Sequence, residues 1–149
     1  MKIEDEIKQK QFSSPFQKLA VNILFTASWL QTQGARLLKP YGITIQQYNV
    51  LRILRGQFPN PASVGLLQER MLDKSSNASR LVDKLLDKKL LERKTCPNDR
   101  RQVDIVITKT GLELLAELEL KMNAWDDQLK SLSEKESGEM SDMLDKLRG

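Results

Sequence analysis

The sequence predicts a mainly α-helical chain with one small β-hairpin. Three observations predict it. Helix-capping signals recur along the chain, apolar residues return at spacings of three and four, and the period drops to two only around residues 90–107. With 149 residues, 40% apolar and 30% charged, the chain is expected to fold as a globular domain of ordinary size with helical extensions.

The elements follow in order. Ser14-Pro15-Phe16-Gln17 reads as a helix start, with serine as N-cap, proline at the first helical position and glutamine three after the cap. That helix should run to about Lys39, where Pro40 stops it. Phe16, Leu19, Ala20, Ile23, Leu24, Ala27 and Leu30 form one apolar stripe, and Val21, Phe25 and Trp29 add a second. A partner chain is one way to bury that second stripe. Thr44 caps the next helix, which turns Ile45, Tyr48, Leu51 and Leu54 inward, with Gly56 as its expected C-cap.

After a loop with two prolines, Ser63 is placed to cap a short third helix through Met71. Ser75 is placed to cap a fourth, reaching about Lys89, with Ala78, Leu81, Val82, Leu85 and Leu86 on one face. Leu90 to Thr95 and Gln102 to Ile107 read as two short strands joined by CPNDRR, with Val103, Ile105 and Ile107 sharing a face. Thr110 or Thr108 caps a fifth helix whose Leu115, Leu118, Met122, Trp125 and Leu129 recur in a heptad-like seam suited to pairing. Ser133-Glu134-Lys135-Glu136 is a capping box before a last helix with Met140, Met143, Leu144 and Leu147 apolar.

Several function classes are excluded or disfavoured. The longest apolar-rich run, Leu19 to Leu30, is interrupted by Asn22, Thr26 and Ser28 and falls short of the roughly 20 apolar residues of a membrane span. The charged start MKIEDEIKQKQ lacks a secretory signal's apolar core, and a single cysteine forms no intrachain disulfide, so a cytoplasmic protein is expected. There is no histidine, no phosphate-cradling glycine loop and no recognisable nucleophile setting, so neither catalysis nor a cofactor or metal is expected. Net charge is only +4, yet residues 74–109 hold ten Lys/Arg against five Asp/Glu, whereas 110–149 hold five against ten. A basic middle beside an acidic arm suggests a surface that faces a polyanion.

Two short helices with a tight break, followed by a hairpin, describe a winged helix-turn-helix, whose second helix enters the DNA major groove. The outward face of that helix offers Ser75, Ser76, Asn77, Ser79, Arg80, Lys84 and Lys88. Asparagine can bond adenine bidentately, arginine reaches guanine or phosphate, and a helix N-terminus favours phosphate. At the hairpin tip Arg100 and Arg101 are suited to a narrow, electronegative minor groove. Asp99 would repel phosphate, so it reads as a brace for an arginine.

The run SRLVDKLLDKKLLERKTCPNDRRQVDIVITKTG resembles the central block of MarR-family transcriptional regulators: S-R-L-V-D-K-L, L-L-E-R, D-R-R, and I-T-K-T-G where the family has L-T-x-x-G. GITIQQYNVLRIL is similar to the family's G-L-T-x-x-Q-x-x-V-L-x-x-L. The resemblance implies a homodimeric regulator, usually a repressor, of double-stranded DNA. Residues 1–43 and 110–149 would form the helical dimerisation region, and 44–109 the winged DNA-binding domain. It places Ser75, Ser76, Asn77, Ser79, Arg80 and Lys84 on the major groove, Arg101 in the minor groove braced by Asp99, and Arg100 beside them. It also implies a small aromatic or phenolic effector, for which Trp29, Tyr41, Tyr48 and Arg52 are candidate lining residues. The alternative for Trp29 and Tyr48 is plain packing in the core or dimer interface. The peroxide sensors of the family carry a reactive cysteine near the N-terminus. Here the one cysteine is Cys96, in the wing, so that mechanism does not transfer, and Cys96 reads as a bystander. The competing reading of the whole is a winged helix used only for protein–protein assembly, with the heptad seam as its surface.

Overall fold

A computed structural model describes residues 1–95 and 103–149, without the side chains of Thr95, Val103, 124–126 and Gln128. Its helices are α1 (Ile3–Glu6), α2 (Pro15–Leu38), α3 (Ile45–Gln57), α4 (Val64–Arg70), α5 (Ala78–Asp87), α6 (Lys109–Asp126) and α7 (Glu134–Arg148). The strands are β1 (Ala62–Ser63), β2 (Leu91–Thr95) and β3 (Val103–Ile107). Short 3-10 turns follow α2 (Lys39–Tyr41) and α6 (Asp127–Leu129). The chain is mainly helical with one small antiparallel sheet, as the periodicities predict. It divides into two compact units, Met1–Tyr48 and Asn49–Gly149.

In the first unit, Ser14 caps α2 through the Gln17 amide at 3.1 Å, and the Gln17 side chain reaches back to the Ser13 amide at 2.7 Å. Proline follows the cap, so the first turn is pre-shaped and its orphan donors are largely met. α1 was not foreseen. It is a single charged turn that buries Ile3 and pairs Glu4 with Lys18 of α2 at 2.5 Å. The Lys18 ammonium holds the Glu4 carboxyl below its ordinary range. Thr44 and Gln47 form the predicted reciprocal cap of α3: Thr44 Oγ1 accepts from the Gln47 amide, and Gln47 Oε1 accepts from the Thr44 amide at 2.9 Å. Along α2 only Gly34 and Leu38 are buried. Phe16 and Leu24 are 81% and 71% exposed, so most of its apolar stripe lies open in the single chain.

In the second unit, the core collects Leu51 and Leu54 from α3, Leu67 and Met71 at α4, Val82 and Leu85 from α5, and Leu115 and Leu118 from α6. Ile105, Val106 and Ile107 of β3 join them, all nearly inaccessible. Two expectations are corrected here. Gly56 does not stop α3, which continues to Gln57. The sheet has three strands in the order β1-β3-β2, because Ala62 pairs with Ile105 and Ser63 with Asp104. With β3 in the middle, Ile105 and Ile107 are buried on the face predicted for them, and Val106 is buried as well.

The base of the hairpin is locked. Leu91 pairs with Ile107, the Thr108 amide donates to Leu90 O at 3.0 Å, and Thr108 Oγ1 donates to Lys89 O at 2.9 Å. Thr108 Oγ1 also accepts from the Gly111 amide at 3.1 Å, so Thr108, not Thr110, caps α6. Gly111 sits where the helix crosses the strand end: a Cβ there would meet Leu90 O at 2.5 Å and Ile107 Cγ1 at 2.7 Å. The glycine of I-T-K-T-G is therefore a packing requirement.

Further along, α6 ends at Asp126, and Leu129 lies in the following 3-10 turn, 43% exposed. The predicted seam is thus buried at Leu115 and Leu118 and open at its far end; the Trp125 side chain lies outside the described residues. The Ser133–Glu136 capping box forms as predicted. α7 buries nothing, leaving Met140, Met143 and Leu147 about half or more exposed. No described helix is long and apolar enough to cross a membrane.

Candidate nucleic-acid interface

α4, the segment Met71–Asn77 and α5 make the helix-turn-helix. The local chemistry shows why the chain breaks there. Ser63 Oγ accepts from the Leu66 amide and starts α4. Gln68, on that helix, then reaches across the turn. Its Nε2 donates to Lys74 O at 3.1 Å, and its Oε1 accepts from the Ala78 amide at 3.2 Å. Asn49 of α3 adds a second clasp, accepting from the Leu72 amide at 3.0 Å. The two side chains satisfy backbone groups that the turn would otherwise leave open. Neither stood out in the sequence, since nothing local marks a glutamine or an asparagine as a long-range clasp.

The start of α5 differs from expectation. Asn77, not Ser75, is the N-cap, its Oδ1 accepting from the Arg80 amide at 3.0 Å. Ser75 is instead tied to Asp73, whose Oδ1 accepts from the serine amide at 3.0 Å and hydroxyl at 2.6 Å. The Asn77 Oδ1 is therefore engaged in the cap, and Nδ2 is the donor end of the side chain. Two of the first three helical amides are also taken, Ala78 by Gln68 and Arg80 by Asn77. Any pull of this terminus on phosphate rests on the helix dipole more than on open donors.

From the cap onward α5 is sharply two-sided. Ala78, Val82 and Leu85 are buried, while Ser79, Arg80, Asp83, Lys84, Asp87 and Lys88 are exposed. Ser75 and Asn77 are exposed and Ser76 half-buried just before it. The structure thus gathers Ser75, Ser76, Asn77, Ser79, Arg80 and Lys84 at one end and one face of the second helix. Asp99, Arg100 and Arg101, the candidate wing contacts, lie outside the described residues, as does Cys96.

α5 closes in a left-handed turn. The Lys89 amide donates to Leu86 O at 2.8 Å and the Leu90 amide to Leu85 O at 3.1 Å, a Schellman pair with Lys89 at φ 59°. The helix therefore stops at Asp87, two residues before its expected end. The turn delivers Leu90 and Leu91 into the core and starts β2.

Of the four candidate effector residues, Trp29, Tyr41 and Tyr48 belong to the first unit and Arg52 to the second. Trp29, 37% exposed, lines a shallow groove of about 170 Å³ with Met1, Ile3, Glu6, Asn22, Phe25 and Thr26. Tyr48 is buried, Tyr41 half-buried and Arg52 exposed. Among the described residues no group of histidine, cysteine and carboxylate side chains could hold a metal ion.

Comparison with known proteins agrees with this geometry. The MarR family model matches residues 41–102, a segment that includes α3, α4, α5 and β2. A MarR transcription factor from Planctomyces limnophilus is 27% identical, over 91% of this chain and 98% of its own, with a TM-score of 0.69. A MarR-like transcription regulator from Bacillus cereus superposes with a TM-score of 0.78 at 22% identity, covering 88% of this chain and 94% of its own. The MepR–DNA complex of S. aureus gives 0.75 at 21% identity, with coverages of 92% and 97%. No curated protein sequence matched the chain. The matched central block, the helix-turn-helix with its paired strands and the full-length likeness converge: the chain has the winged-helix fold of the solved MarR-family regulators, and its residues 41–102 resemble that family's model.

Proposed function

We propose that the chain acts as a homodimeric repressor that reads a pseudo-palindromic DNA operator, with α5 in the major groove and the hairpin tip in the minor groove. The single observation carrying the DNA reading is α5. Its exposed side combines small hydroxyls and an amide at the N-terminus with Arg80, Lys84 and Lys88 behind them, and its other side is core. Small polar groups approach base edges, and the cations meet phosphates on either side. Arg101 braced by Asp99, with Arg100 alongside, is assigned to the minor groove by charge and by position at the hairpin tip. The structurally similar MepR of S. aureus is known in complex with DNA, which supports DNA as the partner proposed for this chain.

The dimer reading rests on apolar surface. Phe16, Leu19 and Leu24 of α2 and Met140, Met143 and Leu147 of α7 are all exposed in the single chain, at spacings that place each set along its helix. Such stripes are buried by association. Residues 1–43 and 110–149 would then form the dimerisation region and 44–109 the DNA-binding domain. Two copies would read half-sites about one helical turn apart. A phenolic or aromatic anion is the effector class that Trp29, Tyr41, Tyr48 and Arg52 suit, and quenching of tryptophan fluorescence by such a compound, abolished in Trp29→Phe, would test it.

Light scattering on the free protein and on its complex with a selected duplex tests the assembly. Two chains free, and two per duplex, are expected at micromolar concentration. A monomer under those conditions would refute the dimer.

A further inference from the structure

The exposed side of α5 carries a feature that the DNA reading alone does not explain. Asp83 stands in the middle of it, one turn beyond Arg80 and adjacent to Lys84. A carboxylate there would push phosphates away. Its Oδ1 accepts from Nη2 of Arg93 at 2.6 Å. Arg93 sits in the middle of β2, opposite Ile105 of β3. It alternates with Glu92 and Lys94, which pair with each other at 3.7 Å and so share the other face of the strand. Both Asp83 and Arg93 are more than half exposed, so the pair contributes little to stability. Its position is what distinguishes it. β2 is an edge strand, held by backbone bonds to β3 alone, and it leads directly to the hairpin tip.

The geometry points to Asp83 and Arg93 as a positioning pair for DNA binding, which rests on the DNA-binding reading above. The bridge ties the strand that carries the hairpin tip to the helix that enters the major groove. It also cancels the one carboxylate in the centre of that helix's exposed side. Arg93 is the residue whose loss exposes the fault: without it, Asp83 faces the phosphates unpaired and the strand loses its side-chain tie to α5. Removing both charges costs less than removing the arginine alone, because the repelling group goes too.

The test is a double-mutant cycle read by fluorescence anisotropy on duplex DNA at several salt concentrations, with Arg93→Ala, Asp83→Asn and the double variant, each checked for unchanged thermal unfolding. Arg93→Ala is expected to weaken binding about five- to tenfold. Adding Asp83→Asn to it is expected to recover at least half of that loss on a logarithmic scale. Wild-type binding with Arg93→Ala unaffected, or a double variant no tighter than Arg93→Ala, would overturn the pairing alone. A wild-type chain that leaves duplex DNA free would overturn the DNA-binding reading, and this proposal with it.

Discussion

Gly111→Ala is the most direct probe of how the hairpin is seated on the rest of the domain. The added Cβ lies 2.5 Å from Leu90 O and 2.7 Å from Ile107 Cγ1. Neither neighbour can step aside easily. Leu90 O is fixed by the Thr108 amide at 3.0 Å, and Ile107 is 2% exposed and paired with Leu91. Relief requires the first turn of α6 to move off the sheet, which pulls Leu115 and Leu118 with it. Overpacking of this kind costs about 1–3 kcal/mol. The better helix propensity of alanine returns up to about 1 kcal/mol, and less in a first turn. A net loss of about 1–2 kcal/mol is expected, which in a chain of this size lowers the melting temperature by about 2–8 °C.

Circular dichroism at a fixed protein concentration measures this, because association would otherwise shift the midpoint. Gly56→Ala is the control: it lies within α3 with nothing within 4 Å of a new Cβ, and should stabilise by about 0.5–1 kcal/mol. If Gly111→Ala unfolds at or above the wild-type temperature, the proposed seating of α6 against the hairpin base is wrong.

Two further outcomes follow from local geometry. Lys89, at φ 59°, occupies a conformation that costs an L-residue about 1–2 kcal/mol, so Lys89→Gly should stabilise by about 0.5–1 kcal/mol once glycine's greater unfolded-state freedom is subtracted; chemical denaturation checks it, and a loss of stability would contradict it. The Ser133 amide and hydroxyl both donate to Glu136 and hold its carboxyl below the ordinary range. Because the folded pKa is lowered, this cap stabilises α7 above the unfolded value and is lost as pH falls through the lowered one. In Ser133→Ala the carboxyl should titrate part of the way back towards 4.5, with the backbone donor remaining; an unchanged NMR titration would refute the hydroxyl's role.

How much of this was legible in the sequence follows from the range of the interactions concerned. Ser14, Thr44, Ser63 and Ser133 cap helices as predicted, because each cap is a bond between a side chain and a backbone three residues on. The α5 cap was misplaced because Ser75, Ser76 and Asn77 all have suitable side chains. The choice among them is made by Asp73, which engages Ser75, and by Gln68, which meets the Ala78 amide from ten residues away. β1 escaped notice for a related reason: two residues have no period, and their partner in β3 is distant in sequence. The buried and exposed sides of α5 were legible, because three- and four-residue spacing fixes them. The Asp83–Arg93 bridge was not, because it depends on which face β2 turns towards the helix.

The central claim is that α5 and the hairpin tip read DNA. Its most direct measurement is the affinity of the wild type, Arg80→Ala and Arg101→Ala for a selected duplex and for a scrambled one, across salt concentrations. The wild type is expected to prefer the selected duplex and to lose affinity steeply with salt, and each arginine variant to lose about 1–3 kcal/mol on it. Equal binding of both duplexes by all three proteins would contradict the account.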